Sequence, residues 1–290
     1  MSTQPEVMIQ RIEELVRRRL TTDRRMSYGW LIVPLLPILV GIALAASLVR
    51  VIISLVPEFS SFEQPQEASR LFGEIFVLYG VAIMSLFLVL LLGAFALYNL
   101  LDRRNAHFRR QQQLFVTLAK YLATKAGVSS SSKLTLIAED SVFEEQERPA
   151  GLWSILYVFV TPIIGLVVAY NLTQDLRKHE ERQSNYYQVL LGTLGEIGIT
   201  ATPMSLYKSH KRDPLLYIIL TAITGGIFWI YWFYTLLKDY NEHFADHSSF
   251  EEQLLAALKP TTPPRVCAAC GGSVPENARF CPYCGAAQRS

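Results

Sequence analysis

Apolar and polar positions follow two rhythms along this chain. On the long scale, four stretches of nearly unbroken apolar residues, Trp30–Val56, Leu71–Leu101, Leu152–Leu172 and Leu215–Leu237, are set apart by polar connections. Each exceeds the roughly 18–20 residues that a helix needs to cross a bilayer core. On the short scale, Met8, Ile12, Leu15, Val16 and Leu20 recur at helical spacing within Val7–Leu20, with Arg11, Arg17, Arg18 and Arg19 elsewhere around the turn. Leu114, Leu118, Tyr121 and Leu122 form a second stripe beside Lys120 and Lys125. Such basic stripes suit either an anionic lipid surface or packing on one another as a cytosolic helical layer. The pattern predicts an all-α integral membrane protein with amphipathic cytosolic helices.

Charge decides how the apolar segments are threaded. Six arginines precede the first segment, which places the N-terminus in the cytoplasm of a cell-membrane protein. The connection after it holds Glu58, Glu63 and Glu67 against Arg70, as an external loop should. The next connection is basic and therefore internal. Four full spans would put both termini in the cytoplasm but would leave Arg177, Lys178, Arg182, Lys208, Lys211 and Arg212 outside. That arrangement is the first reading. In the second, Thr161–Pro162 and Gly225–Gly226, near the middles of segments three and four, break each into a hairpin that enters and leaves from the cytoplasmic face. A turn at mid-bilayer depth must then be buried in protein, because lipid offers no hydrogen bonds.

An internal repeat bears on the choice. Tyr98, Tyr170 and Tyr234 mark the ends of the last three segments, and a histidine follows nine residues later each time, at His107, His179 and His243. Apolar positions follow at Leu114 and Leu118, Tyr186 and Leu190, Phe250 and Leu254. Equivalent units should leave the membrane toward the same side, which favours hairpins, although inverted repeats exist in transporters. The last two copies place Asp175 and Asp239 one helical turn before the histidine. Metal or proton handling is one reading of these Asp–His pairs; a polar interface just outside the membrane is the preferred one, because Arg103 replaces the aspartate in the first copy. Arg50 and Glu74, the charged residues within the first two segments, are expected to neutralise each other across an antiparallel pair. Ser129–Ser132 reads as a flexible linker, and the run Glu144, Glu145 and Glu147 as solvated.

Composition narrows the class. Half the residues, 51%, are hydrophobic and only 18% charged, which soluble enzymes do not match. A net charge of +2 does not suggest a nucleic-acid binder. The start of the sequence lacks the apolar core of a secretory signal, so the mature chain is expected to begin near Met1. No nucleophile–base arrangement, phosphate loop or His-Glu protease motif appears, and no catalytic residue is expected.

The most specific motif comes last. After Pro260-Thr261-Thr262-Pro263-Pro264, Cys267-x-x-Cys270 and Cys281-x-x-Cys284 present four thiolates, with Gly271 and Gly285 following to allow the positive φ that such turns need. Four thiolates complete a tetrahedron, so Cys267, Cys270, Cys281 and Cys284 are assigned to a closed, structural zinc site; rubredoxin-like iron uses the same ligands and is the alternative. The expected organisation is an amphipathic helix at 1–29, a membrane helix pair at 30–101, a cytosolic tail and linker at 102–151, repeats at 152–191 and 192–255, a linker at 256–266 and the ribbon at 267–290.

Residues 267–285, ending Phe280-Cys281-Pro282-Tyr283-Cys284-Gly285, resemble the short zinc ribbons that terminate many prokaryotic membrane proteins. Residues 214–243, from Pro214 through Thr224-Gly225-Gly226-Ile227-Phe228-Trp229-Ile230-Tyr231-Trp232-Phe233-Tyr234 to Asp239 and His243, resemble an uncharacterised prokaryotic multi-helix membrane domain, and residues 149–179 look like a diverged copy. The resemblance implies membrane insertion and no catalytic residues. The expected function is that of a non-enzymatic, self-associating membrane scaffold or membrane-shaping protein that touches anionic lipids and uses its ribbon for protein contacts. A pore or transport component, or an accessory subunit of a larger membrane complex, is the alternative.

Overall fold

The computed structural model describes residues 5–58, 65–125, 128–201, 212–259, 265–274 and 278–287. These are almost entirely helical: α1 (Pro5–Thr22), α2 (Ile32–Glu58) after a short 3-10 turn at Tyr28–Leu31, α3 (Pro65–Ala123), α4 (Val128–Glu144), α5 (Ala150–Phe159), α6 (Ile163–Glu196), α7 (Pro214–Ile223) and α8 (Phe228–Leu258). Two short antiparallel strands, β1 (Arg265–Val266) and β2 (Ser273–Val274), belong to the cysteine module.

Helices α3, α6 and α8 form a parallel trunk with two apolar layers. Leu97 and Leu101, Val168 and Leu172, and Trp232 and Leu236 share the lower core. Seventeen or eighteen residues further along each helix, Leu114 and Leu118, Tyr186 and Leu190, and Phe250 and Leu254 share the upper core. The same order in all three helices requires the same direction. Steps of seven and eleven residues keep these side chains on one face of each helix, which explains why the repeat packs in register. The stripe of α1 closes the upper core: Ile12, Leu15 and Val16 are buried against it, whereas Leu20 is exposed. Leu114, Leu118, Tyr121 and Leu122 are buried as well. Both stripes are thus packing faces.

Segments three and four are not continuous helices. Helix α5 stops after ten residues, and Pro162, which has no N–H to donate, sits at the N-cap of α6. Helix α7 also has ten residues and is started by Asp213, whose side chain accepts from the N–H groups of Leu215 and Leu216 at 2.9 and 3.3 Å. It ends at Gly225 and Gly226, with φ of 60° and 93°, a conformation that glycine adopts at little cost. Both tails run parallel to that of α3, the direction expected of equivalent repeat units. Among the described residues, two helices, α2 and α3, are long and apolar enough to cross a membrane.

An arginine and an aspartate close the base of each short hairpin. Arg148, just before α5, holds Asp175 on α6 through Nε at 2.6 Å and Nη2 at 2.8 Å. Sixty-four residues on, Arg212 holds Asp239 on α8 through the same two atoms, Nη2 at 2.8 Å. Such bidentate pairs fix geometry as well as charge.

Three local expectations change. Ser129–Ser132 lies inside α4 and Ser131 is buried, so this stretch is a helix rather than a linker. Glu74 pairs with Arg70 one turn away at 3.2 Å, and Arg50 is exposed, so the Arg50–Glu74 pair does not form. Glu145 is buried, although Glu144 and Glu147 are exposed as expected.

Candidate metal centres

Two clusters bring together residues able to hold a metal ion. In the first, Cys267, Cys270, Cys281 and Cys284 converge as the sequence predicts. Each Cys-x-x-Cys segment is a tight turn of the same design. Gly271 donates to the Cys267 carbonyl at 2.8 Å and Gly285 to that of Cys281 at 2.9 Å. Both glycines have a φ of 72°. The Sγ atoms of Cys267 and Cys284 are 3.6 Å apart, as are those of Cys270 and Cys281. A tetrahedral ion with ~2.3 Å bonds to sulfur places its ligands ~3.8 Å apart, so the donor set fits. The module's apolar core is Cys267, Val274 and Cys281 with little else, too small to fold on burial alone.

The second cluster lies in the trunk, between its two apolar layers. Four of the chain's five histidines meet there: His107 from α3, His179 from α6, and His243 with His247 from α8. Their candidate ligand atoms all lie within 4.8 Å of one another, and all four side chains are buried. Repeat spacing places the first three at one level, and His247 is one helical turn beyond His243 on the same face.

Each ring turns its Nδ1 toward a carboxylate. His107 is 3.1 Å from Asp23, His179 is 2.8 Å from Glu145, His243 is 3.5 Å from Glu180 and His247 is 3.4 Å from Glu251. The Nε2 atoms therefore face inward. Those of His107 and His243 are 3.2 Å apart, while those of His179 and His247 are buried with no hydrogen-bond partner. A buried polar atom left unpaired costs about 1–3 kcal/mol, so two at one point call for an explanation. Phe108 stacks on the His179 ring at 4.1 Å between centroids and holds its orientation.

The surroundings favour neutral rings inside a charged shell. Burial pushes His107 down to about 3 against the pull of Asp23. It lowers His243 and His247 as well. Burial alone would raise Glu145, yet His179 and Arg182 outweigh it and hold that carboxyl at about 2. Arg110 bridges two members of the shell, bonding Glu251 at 2.8 and 2.9 Å and Asp23 at 2.8 and 3.2 Å. Burial still raises Glu251 despite Arg110, and the nearby Asp23 charge adds to that rise.

No protein family, no curated protein and no solved structure matches this chain. The resemblance seen in residues 214–243 gains no support from these comparisons. What stands, among the described residues, is a helical chain with two candidate spans and two candidate metal centres.

The Asp–His pairs divide. Asp175 and Asp239 are taken by arginine, as a polar interface requires, whereas His179 and His243 turn inward to the cluster. Sequence reasoning missed the convergence because it sought a ligand set conserved in every repeat. The signal it passed over was His243-x-x-x-His247, two imidazoles on one helix face.

Proposed function

We propose that the chain is a non-enzymatic integral membrane protein that shapes or organises the bilayer, with α2 and α3 as spans and α5/α6 and α7/α8 as short hairpins inserted from the cytoplasmic side. One observation carries this reading: three parallel tails share one core, and both ten-residue arms expose apolar side chains at their tips. Phe159 is 78% exposed, Ile163 60%, Ile223 75% and Ile227 65%. An arm of ten residues rises about 15 Å and reaches about half of the roughly 30 Å hydrocarbon core. The outward faces of α2 and α3 are equally apolar, from Ile42 and Ile53 to Phe72 and Phe76. Soluble proteins seldom expose contiguous apolar surface of this extent. Two wedges in one leaflet widen that leaflet alone, which supports a shaping role over a pore. Thiolate chemistry and module size support zinc as the structural ion of the cysteine cluster, and a role for that module in protein contacts.

Accessibility of single cysteines tests the placement. In a variant without the four native cysteines, Asn185→Cys on α6 and Gln253→Cys on α8 should both resist an impermeant maleimide in intact cells until the membrane is permeabilised. Ser69→Cys near the start of α3 should label from outside. Labelling of one tail but not the other from outside would sink the proposal. Purified protein should curve liposomes without passing ions; ion flux without curvature would favour the pore.

A further inference from the structure

We propose that His107, His179, His243 and His247 bind one divalent first-row transition-metal ion through their Nε2 atoms, as a second metal centre separate from the cysteine module. The inference does not depend on where the bilayer lies.

The donor set fits such an ion. Neutral imidazole suits zinc, copper, nickel and iron, and four of them complete a first shell without any other ligand. A tetrahedral ion ~2.1 Å from each nitrogen separates its ligands by ~3.4 Å. The Nε2 atoms of His107 and His243 already stand at 3.2 Å, and one ring nitrogen from each of the four histidines lies within 4.8 Å of the others, so small rotations of the rings bring the four to a common point. Metal binding also gives a role to the two inward Nε2 atoms that have no hydrogen-bond partner.

The outer ring of acids supports the same conclusion. A metal-bound imidazole donates its other N–H to a carboxylate or carbonyl, which fixes the tautomer and strengthens the ligand. Here every Nδ1 has a carboxylate oxygen within 3.5 Å, drawn from four separate places in the chain: Glu145 after α4 and Glu251 on α8 are hydrogen-bonded to His179 and His247, Glu180 on α6 faces His243, and Asp23 before α2 lies beside His107 Nδ1 without hydrogen-bonding geometry. A core stabilised by packing alone has no need of this repeated arrangement. His247 Nδ1 also lies 3.2 Å from the Gln111 amide. With Gln111 Oε1, otherwise unpartnered, turned to that nitrogen, the ring donates and its Nε2 is free to bind. Arginines hold three of these four carboxylates in place: Arg110 is shared by Asp23 and Glu251, and Arg182 pairs with Glu145.

The ion would tie the three repeat units together at one level. The closed shell makes the centre one of assembly rather than of hydrolysis, because no position is left for water.

Cobalt substitution of the full chain, purified in detergent, tests the proposal. Wild type should take up about two ions, and the C267S/C270S/C281S/C284S variant about one. That remaining ion should show visible d–d bands without the near-ultraviolet charge transfer of thiolate ligands. Adding His179→Gln, or separately His247→Gln, to the cysteine variant should lower cobalt affinity at least tenfold while the far-ultraviolet circular dichroism stays helical. A single ion in wild type, bound with thiolate bands only, overturns the proposal, and this readout needs no variant to fold. So does a helical cysteine variant that takes up no cobalt.

Discussion

Asp175 and Asp239 share a helix face with the histidines that follow them, yet each is occupied by an arginine 27 residues earlier in the chain. The Arg212–Asp239 pair is mostly buried, and Arg212 also donates to the Tyr217 hydroxyl at 3.0 Å. Removing one partner leaves the other charge uncompensated, so Asp239→Ala should destabilise the detergent-solubilised protein by about 3 kcal/mol. A denaturant titration measures it. Arg212→Met combined with Asp239→Leu should recover most of the loss, and a double-mutant cycle reads the coupling. Single residues also show why the histidine centre is only half legible in the sequence. Repeat spacing singles out His107, His179 and His243, but the identity of the residue four positions earlier is a misleading guide when that residue is engaged elsewhere. Asp23, Glu145, Glu180 and Glu251 come from distant parts of the chain, and no spacing rule connects them.

The breaks in segments three and four are legible in the sequence as Thr161–Pro162 and Gly225–Gly226. Their consequence is not, because helix length favours full spans while the basic third connection and the repeat favour hairpins. The three tails run in one direction, as equivalent repeat units should, because they pack in register. Each break has its own chemistry and can be probed separately. Gly226, with a φ of 93°, should lose about 1–2 kcal/mol on replacement by alanine. Gly93 on α3 tests how a hairpin seats against the first helix pair: a Cβ there would lie 2.6 Å from Cε1 of Tyr157 on α5. Gly93→Ala should cost about 1–3 kcal/mol by overpacking, and Tyr157→Ala in the same chain should remove that penalty. Thermal melts of the two single variants and the double variant give the comparison. The stripe of α1 is legible as an amphipathic helix, but pattern alone does not distinguish a lipid surface from the trunk core that Ile12, Leu15 and Val16 enter.

Across the whole molecule, the two candidate metal centres predict different responses to chelation. The cysteine module is a small part of a helical chain, so stripping its ion should release the module and leave helical circular dichroism nearly unchanged. In the variant lacking the four cysteines, a strong chelator should instead lower the melting temperature of the trunk, and added zinc should restore it. An unchanged melting temperature would count against the histidine centre. The convergence of the four cysteines is legible in the sequence, because both pairs sit in local turns. Those of the second require a tertiary fold that brings three helices to one level.

Helix α3 runs unbroken from Pro65 to Ala123, so its candidate span and its stretch of trunk are one rigid rod. At about 1.5 Å per residue it is nearly 90 Å long, and it carries His107 and Arg110 in the part beyond the apolar segment. Placed as proposed, its tilt must follow bilayer thickness, since an apolar helix accommodates mismatch by leaning. With no joint between the two parts, that lean sweeps the far end of the rod sideways through the trunk. The imidazole cluster sits on this lever, so in that placement bilayer thickness would couple mechanically to the geometry around His107.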